Sequence, residues 1–324
     1  MSGFSTFWVL KFQRGKDRQH QMMSNTSKYC LATVTTENYF QWTMTMLYSF
    51  KKSNPWFNGD IVVICKDLPA RMISDLHLFE HVKIIEPSQV LLNQIDKLAE
   101  VVPKFKEISA RFFSLEIFRF ENYQKVLFLD SDMIVVKSIE EIFRLPDLFY
   151  ASAQLCFYKG KGRNSSTFVA EIKSEDNTDI LENTVNTGFM LLDEELLKQN
   201  HYRSLIELIT PETWRRNNFT YTDELIINQY FSGKISLLDT RYNYRARAAR
   251  IIREKEDLAF EDAKIIHFYS KFKPWNFAEV LASSSRNLSW IKAYGLWYHW
   301  YVEFLKFYHF QKKIEAVTTN KTKS

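Results

Sequence analysis

The segment that decides the fold is SARFFSLEIFRFENYQKVLFLDSDMIVV, residues 109–136. Its centre, Lys125–Leu129 (KVLFL), is a short apolar run behind an opening lysine, which is typical of a strand buried on both faces of a sheet. The preceding residues, Ile108–Glu121, carry apolar side chains at steps of four and three, which predicts a helix. We therefore expect a helix that leads directly into a central, fully covered strand.

The residues on the N-terminal side of this segment alternate between strand and helix patterns. The predicted strands and helices are, in order, Lys28–Thr35 (strand), Tyr39–Lys51 (helix), Asp60–Cys65 (strand), Pro69–Phe79 (helix) and Val82–Ile85 (strand). Such alternation predicts an α/β fold with a mostly parallel sheet flanked by helices. In these sheets ligands bind at the carboxyl ends of the strands, near a switch in strand order. Thr35–Tyr39 and Asp130–Asp132 are therefore the positions where we expect a ligand.

The pattern changes after residue 145. A polar stretch, Lys159–Asp179, predicts a long loop. It is followed by predicted elements at Asn186–Asp193 (strand), Leu196–Ile209 (helix), Tyr221–Phe231 (helix) and Ile265–His267 (the end of a further strand).

Composition excludes several classes of protein. The 324 residues are 46% hydrophobic and 25% charged, as in a globular chain, and only 8 are glycine. Neither GxGxxG nor GxxxxGK[ST] is present. The three cysteines lie far apart, which excludes a disulfide framework and a CxxC zinc site. The net charge is +5, but basic and acidic residues are mixed, so we expect no nucleic-acid partner. This mild positive bias suits an anionic small substrate or an anionic membrane surface.

Asp130-Ser131-Asp132 follows the buried strand directly. Two carboxylates at i and i+2 can point to one side of a loop, and their hard oxygens suit Mg²⁺ or Mn²⁺ bridging a diphosphate. The alternative is a solvated acidic turn. Arg111, on the preceding predicted helix, shares a face with Leu115 and Phe118. Its charge needs either an anionic partner or a route to water along its own side chain.

A second candidate segment is His267–Trp275, HFYSKFKPW. The histidine ends an apolar strand and could serve as a third metal ligand through its neutral imidazole. Lys271 and Lys273 behind it could neutralise phosphate charge. The alternative is a packed histidine followed by surface lysines.

Together these segments resemble the glycogenin-like glycosyltransferases of family 8, which have a GT-A fold. Four segments in the family's order carry the resemblance: ATVTTENYF (32–40), the 109–136 block with its DxD motif, NTGFMLLD (186–193) and HFYSKFKPW (267–275). The resemblance covers residues 28–277. It implies a hexosyltransferase that moves a sugar from a UDP-sugar to an acceptor hydroxyl with retention of anomeric configuration.

The resemblance also implies roles for individual residues. Mn²⁺ (or Mg²⁺) would be held by three side chains, and the donor diphosphate by one lysine. The remaining positions would hold the uridine or the donor sugar. The metal ligands are Asp130, Asp132 and His267; the diphosphate contact is Lys273; the uridine contacts are Thr35, Thr36 and Tyr39; and the sugar pocket is lined by Arg111, Asn186 and Gly188.

Two positions depart from the family pattern. The signature glycine before the KPW segment is Ser270 here, which is strained if the backbone needs a positive φ, or donates to a phosphate if it does not. Asp223-Glu224 stands where the family often has Asp-Gln. Asp223 is expected to accept from a donor-sugar hydroxyl. Glu224 could stabilise an oxocarbenium-like transition state, act as a nucleophile, or merely cap its helix. The second function hypothesis is therefore a catalytically impaired nucleotide-sugar-binding protein on the same fold.

Residues 288–310 are rich in aromatic side chains at helical spacing. The helix either packs against the sheet or presents an aromatic surface to a membrane or a sugar acceptor. We predict a polar N-terminal arm (1–27), a GT-A catalytic domain (28–277), and a C-terminal aromatic helix with a polar tail (278–324). The acceptor would be a carbohydrate, a glycolipid or a glycoprotein. No cleavage site and no apolar stretch of about 18 residues is found, so we expect a cytoplasmic protein, at most peripheral to a membrane.

Overall fold

A computed structural model describes residues 28–153, 185–217, 221–269, 273–276 and 288–321. The predicted N-terminal arm, the predicted loop Lys159–Asp179 and Ser270 lie outside the described residues.

A seven-stranded sheet forms the centre of the molecule, and its strands follow the order β3-β2-β1-β4-β7-β6-β8. Neighbours from β3 to β4 are parallel, as are β6 and β8, whereas β7 runs antiparallel to both β4 and β6. The strand bounds are β1 Tyr29–Val34, β2 Asp60–Ile64, β3 Val82–Ile85, β4 Lys125–Leu129, β5 Met133–Val135, β6 Phe149–Ala153, β7 Val185–Asp193, β8 Ser236–Leu238 and β9 Ile265–His267. The predicted mostly parallel sheet is confirmed.

Helices flank both faces of this sheet. Their bounds are α1 Phe40–Ser53, α2 Ala70–Leu76, α3 Gln89–Val101, α4 Lys104–Glu107, α5 Glu194–Leu197, α6 His201–Glu207, α7 Pro211–Asn217, α8 Asp223–Tyr230, α9 Ala249–Glu256 and α10 Leu288–Lys321. Side chains of α3, α6 and α8 form one apolar layer with the sheet, and those of α1, α2 and α10 form another on the opposite face. Because both faces are covered, every residue of β2 and β4 is buried, as the continuous apolar runs predicted.

The strand order switches direction at β1. The chain builds β2 and β3 on one side of β1 and then returns to place β4 on its other side. The carboxyl ends of β1 and β4 therefore lie side by side, with Thr35 after one and Asp130 after the other.

A second, two-stranded antiparallel ladder joins β5 to β9. Met133 pairs with His267, and the backbone N–H of Phe268 donates to the carbonyl of Asp132 at 3.0 Å. This register brings the histidine at the end of β9 beside the acidic pair that precedes β5.

Two predicted helices differ from the observed ones. Residues 109–119 form a 3₁₀ segment in which Arg111 is exposed while Leu115 and Phe118 are buried, so the three side chains do not share a face. The predicted helix over 196–209 is interrupted at Asn200, whose left-handed φ of 54° separates α5 from α6. A left-handed asparagine ends helices because its short polar side chain tolerates this conformation.

The C-terminal helix α10 packs against α1 rather than lying directly on the sheet. Trp290, Trp297 and Phe304, at steps of seven residues, are almost fully buried. The helix continues to residue 321 and keeps one side in solvent, where Phe310 is 61% exposed. None of the helices in the described ranges has a stretch both long enough and apolar enough to cross a bilayer.

Candidate functional site

Asp130, Asp132 and His267 meet at the carboxyl end of β4. One ligand atom from each lies within 4.8 Å of the other two. The imidazole Nε2 of His267 is 3.2 Å from an oxygen of Asp132 and 3.8 Å from an oxygen of Asp130. The β5–β9 ladder fixes this arrangement, because His267 pairs with Met133, the residue that follows Asp132.

Gly188, on β7, lies directly beneath these three side chains. A Cβ at this position would be 2.7 Å from an Asp130 carboxylate oxygen, 2.7 Å from Cε1 of His267 and 3.0 Å from the Met133 methyl. Its carbonyl accepts a hydrogen bond from the N–H of Asp130 at 2.9 Å, so the close approach also fixes the start of the acidic loop. A side chain here would displace the candidate ligands.

Asp132 is held in its ionised form. Its burial alone would raise its pKa, but nearby positive charge, first of all the Lys273 ammonium that contacts the carboxylate directly, holds the pKa of Asp132 well below its usual range. Burial alone would lower the pKa of Lys273. Asp132, with smaller contributions from Tyr39 and Asp130, outweighs burial and leaves the pKa of Lys273 raised. Lys273 also donates to the carbonyl of Phe268 at 2.8 Å, so it is fixed beside the acidic pair.

The pKa values of Asp130 and His267 shift in opposite directions in this charge environment. Loss of solvation, followed by repulsion from Asp132 and Asp223, raises the pKa of Asp130 well above its usual value. Burial lowers the pKa of His267, so the ring favours the neutral state in which an imidazole binds metal. A divalent cation would compensate the clustered carboxylates that raise the pKa of Asp130.

The side chains therefore fit a hard divalent cation. Two carboxylates and one neutral imidazole form a donor set used for Mn²⁺ or Mg²⁺, and Gly188 adds no side chain beside Asp130 and His267.

Asp223 and Glu224 begin α8 and enter the site beside Asn186. Asp223 is buried, and its two carboxylate oxygens accept hydrogen bonds from the hydroxyls of Ser114, Thr187 and Thr222 at 2.8–2.9 Å. Burial raises the pKa of Asp223, although the three hydroxyl groups oppose the shift. The Glu224 carboxylate accepts from the Asn186 amide at 2.8 Å. Both acids are thus held by specific contacts.

A residue that the sequence did not indicate links this region to the histidine. Asn243 is fully buried and lies between His267 and Asn186, with hydrogen bonds of 2.9 Å to Nδ1 of the ring and 2.8 Å to Asn186 Oδ1. It ends the 3₁₀ segment Thr240–Asn243, which has no apolar periodicity and no recognisable spacing to the other site residues. Its contribution depends on long-range packing and could not be found from local pattern.

The predicted uridine contacts lie after β1, at the same edge of the sheet. The hydroxyl of Thr35 is buried and lies 2.7 Å from that of Thr43, so it is bonded within the protein. Thr36 is half-buried and its carbonyl accepts from the N–H of Tyr39, which starts the turn. The Tyr39 ring is half-buried and meets Trp275 edge-on at 5.7 Å.

Trp275 joins the sheet edge after β1 to the C-terminal helix. Its ring stacks on Trp42 of α1 at 4.3 Å and an interplanar angle of 6°. Trp297 of α10 lies 5.2 Å from Trp42 and 6.0 Å from Trp275. Trp275 of the KPW segment is therefore held against the protein by the indoles of Trp42 and Trp297.

Arg111 contributes positive charge to the same site although its side chain is exposed. Burial raises the pKa of both Asp130 and Tyr39, and the Arg111 guanidinium partly opposes these shifts, so its charge is felt by the candidate metal ligands and by the predicted base-stacking ring. Among the other predicted contacts, Ser270 lies outside the part of the chain that the structure describes. The cluster as a whole can hold a cation, an anionic diphosphate and a polar group beside Asp223.

Comparison with known proteins identifies relatives of this arrangement. The model of the family described as Glycosyl transferase family 8 matches residues 30–279. The chain is 23% identical over 252 residues to an uncharacterised protein of Acanthamoeba polyphaga mimivirus, covering 77% of this chain and 83% of that protein. It is 28% identical to glycosyltransferase GlyF of Streptococcus pneumoniae, covering 56% of this chain and 40% of GlyF. Its similarity to galactinol synthase 1 of Solanum lycopersicum is 26% identity, covering 67% of this chain and 64% of that enzyme.

Solved structures share the fold at low sequence identity. Galactosyltransferase LgtC, crystallised with donor and acceptor sugar analogues, superposes with a TM-score of 0.61 at 15% identity, covering 82% of this chain and 95% of LgtC. Glycosyltransferase GlyE of Streptococcus pneumoniae superposes with a TM-score of 0.57 at 20% identity, covering 89% of this chain and 64% of GlyE. The predicted GT-A architecture is thereby confirmed.

Proposed function

This chain belongs to glycosyl transferase family 8, and on that premise we propose that it transfers a hexose from a UDP-sugar to an acceptor hydroxyl with retention of anomeric configuration. The observation that carries the proposal is the convergence of Asp130, Asp132 and His267 within 4.8 Å at the switch point of the sheet. These side chains would hold Mn²⁺ or Mg²⁺.

In transfer, the bond between the anomeric carbon and the β-phosphate oxygen breaks and a bond to the acceptor oxygen forms on the same face. The acceptor proton leaves on the UDP product. When bound, the cation supplies Lewis-acid stabilisation of the negative charge that grows on the diphosphate. Lys273 and Arg111 add positive charge at the same place without transferring a proton.

The remaining contacts orient the donor. Asp223, held by three hydroxyl groups, accepts from a sugar hydroxyl, while Asn186 and Gly188 line the pocket floor. Tyr39 provides a ring face for the uracil, and Thr35 and Thr36 shape the turn around it.

Glu224 has two chemical roles besides capping its helix, and one variant separates them. As a nucleophile it would form a bond to the anomeric carbon, which glutamine cannot do, so Glu224→Gln would remove transfer. As an electrostatic group that stabilises an oxocarbenium-like transition state, it would leave a reduced but measurable rate. A glutamine oxygen can also accept the hydrogen bond from Asn186, so the variant keeps this contact and changes only the carboxylate.

The proposal is tested by following UDP release from a panel of UDP-sugars with and without Mn²⁺. Asp132→Asn is expected to remove the metal-dependent rate while the protein stays folded. Asp257→Asn is the matched control, because Asp257 is an exposed left-handed residue at the end of α9 where asparagine is equally tolerated. Equal turnover by wild type and Asp132→Asn would refute the metal role. UDP-sugar binding without turnover by the wild type would favour the binding-protein hypothesis.

The acceptor side of the proposal involves the outer face of α10. Exposed apolar side chains lie along this face together with Lys306 and Lys313; they are Leu288, Ile291, Val302, Phe310 and Val317. An apolar face with interspersed lysines suits peripheral contact with an anionic membrane, where a glycolipid acceptor would be reached; a soluble carbohydrate or a glycoprotein is the alternative acceptor. We expect co-sedimentation with vesicles that contain anionic lipid but not with neutral vesicles. Lys306→Glu with Lys313→Glu should weaken it, and equal binding by this variant would contradict the surface assignment.

A further inference from the structure

We propose that Asn243 is a positioning residue for the metal site, which turns the Nε2 atom of His267 toward Asp130 and Asp132. The inference rests on the metal part of the proposed function. It assigns a role to a residue outside the acidic motif and outside the HFYSKFKPW segment.

A continuous line of hydrogen bonds connects the donor-sugar side of the site to the imidazole. Glu224 is 2.8 Å from the Asn186 amide nitrogen, Asn186 Oδ1 is 2.8 Å from the Asn243 amide nitrogen, and Asn243 Oδ1 is 2.9 Å from Nδ1 of His267. Asn186 and Asn243, the two middle side chains, each use their nitrogen for one of these hydrogen bonds and their oxygen for the next.

The chemistry at the Glu224 end sets the direction of every bond. An ionised carboxylate accepts and cannot donate, so the amide group of Asn186 must face it as donor. The oxygen of Asn186 is then the acceptor for the Asn243 amide group. Asn243 consequently turns its own oxygen to the ring, and that oxygen accepts only from an Nδ1–H. Because a neutral imidazole carries one proton, Nε2 is left with the lone pair that a metal requires.

Burial makes this constraint difficult to replace with water. Asn243 is fully buried, and His267 is 3% exposed. The backbone holds the two side chains beside each other, because the N–H of Tyr244 donates to the carbonyl of Ile265 and the N–H of His267 donates to the carbonyl of Tyr244, at 2.8 and 2.9 Å. A ring without its Nδ1 partner could rotate or change tautomer, and Nε2 would no longer be fixed as the ligand atom.

Loss of such an outer hydrogen bond to a metal-binding histidine typically weakens metal affinity 10–100-fold. The experiment is a Mn²⁺ titration of the whole chain without nucleotide, read from the electron paramagnetic resonance signal of free Mn²⁺. Asn243→Ala is expected to weaken binding by about 10–100-fold. Asn243→Asp, which still accepts from Nδ1–H, is expected to stay within about threefold of wild type, since a carboxylate serves the same role in other metal sites.

Asn228→Ala separates positioning from general stability. Asn228 is also buried, bonds both backbone groups of Val185 on β7 and the Glu224 carbonyl, and does not appear on the path to His267. It should lower the thermal unfolding midpoint yet leave Mn²⁺ affinity unchanged. If Asn243→Ala does not fold, Asn243→Ser provides the second truncation, with a polar group too short to reach the ring.

The outcomes separate the inference from its premise. Mn²⁺ affinity that is unchanged in the folded Asn243 truncation, or that falls equally in Asn228→Ala, would overturn the positioning role while leaving the proposed function in place. A wild-type chain that binds no Mn²⁺ would overturn the metal part of the proposed function and this inference with it.

Discussion

Replacing Gly188 by alanine tests the geometry of the candidate metal centre with a single added methyl group. The new Cβ would lie 2.7 Å from an Asp130 oxygen and 2.7 Å from Cε1 of His267. The variant therefore presses on two candidate ligands at once without altering the charge of the site.

The structure sets the size of the effect. Ordinary contact begins at 3.4 Å, so each ligand must move away by about 0.7 Å to relieve the overlap. Metal–ligand distances tolerate deviations of only about 0.2 Å, so the three donor atoms cannot all be retained. A displacement approaching 1 Å at a reacting centre costs about 100-fold in rate, and we expect losses of that order in both Mn²⁺ affinity and UDP-sugar turnover. Overpacking in the buried strand should cost about 1–2 kcal/mol of unfolding free energy.

The assay combines a Mn²⁺ titration with UDP release and urea unfolding. Gly295→Ala is the matched control, because Gly295 lies within α10 and a Cβ there meets nothing within 4 Å. This control should keep full activity and gain about 0.5–1 kcal/mol of stability, since glycine is unfavourable inside a helix.

Wild-type Mn²⁺ affinity and turnover in Gly188→Ala would refute the reasoning. That result would mean that Asp130 and His267 bind no common ion above Gly188. A loss of activity with unchanged Mn²⁺ affinity would instead place the steric effect on the donor sugar.

Three further substitutions test other parts of the molecule. At pH 7, Asp223→Asn is expected to raise the thermal midpoint while removing transfer. Burial raises the folded-state pKa of Asp223 above its unfolded value, so ionisation of Asp223 lowers the stability of the wild type as the pH rises through that interval. The difference in thermal midpoint between variant and wild type should therefore vanish near pH ~3. A lower midpoint at pH 7 would contradict this. Lys312→Met removes a 2.8 Å ion pair with Asp75 and should lower the unfolding free energy by about 1 kcal/mol in urea titrations. The loss should be smaller in 1 M salt, and a loss that does not depend on salt would show that packing is responsible instead. Trp42→Ala removes the stack under Trp275 and should weaken UDP binding by up to about tenfold in calorimetry; unchanged affinity would show that the KPW residues need no such support.

The central strands were predictable because their sequence carries a local physical signature. Val82–Ile85 and Lys125–Leu129 have the bounds that their apolar runs indicated, and Lys125–Leu129 is buried throughout. Strands covered on both faces need uninterrupted apolar residues, and the polar residues that follow mark their ends. The edge at which ligands were expected followed from the alternation of strands and helices alone.

The parts that sequence did not reveal depend on distant packing. The apolar steps in residues 108–121 fit either kind of helix, and tertiary contacts select the 3₁₀ form, which exposes Arg111. Asn243 has no local signature, because its importance arises only when β9 brings His267 beside it. The place of His267 at the end of an apolar strand suggested a third ligand, but only the family resemblance assigned it to the site of Asp130, since a three-residue ladder between β5 and β9 carries too little pattern to be detected.

The residues beside the β5–β9 ladder join segments that are far apart in the sequence. Asp132 and Lys273 are 141 positions apart in the sequence. A ligand that binds to both side chains therefore connects two distant segments of the chain. A ligand that only the folded chain binds stabilises that chain by mass action, by about 2.7 kcal/mol at one hundred times its dissociation constant. A bound substrate would therefore act as a reversible cross-link between these two segments. It would raise the thermal unfolding midpoint of the folded chain and slow its proteolysis.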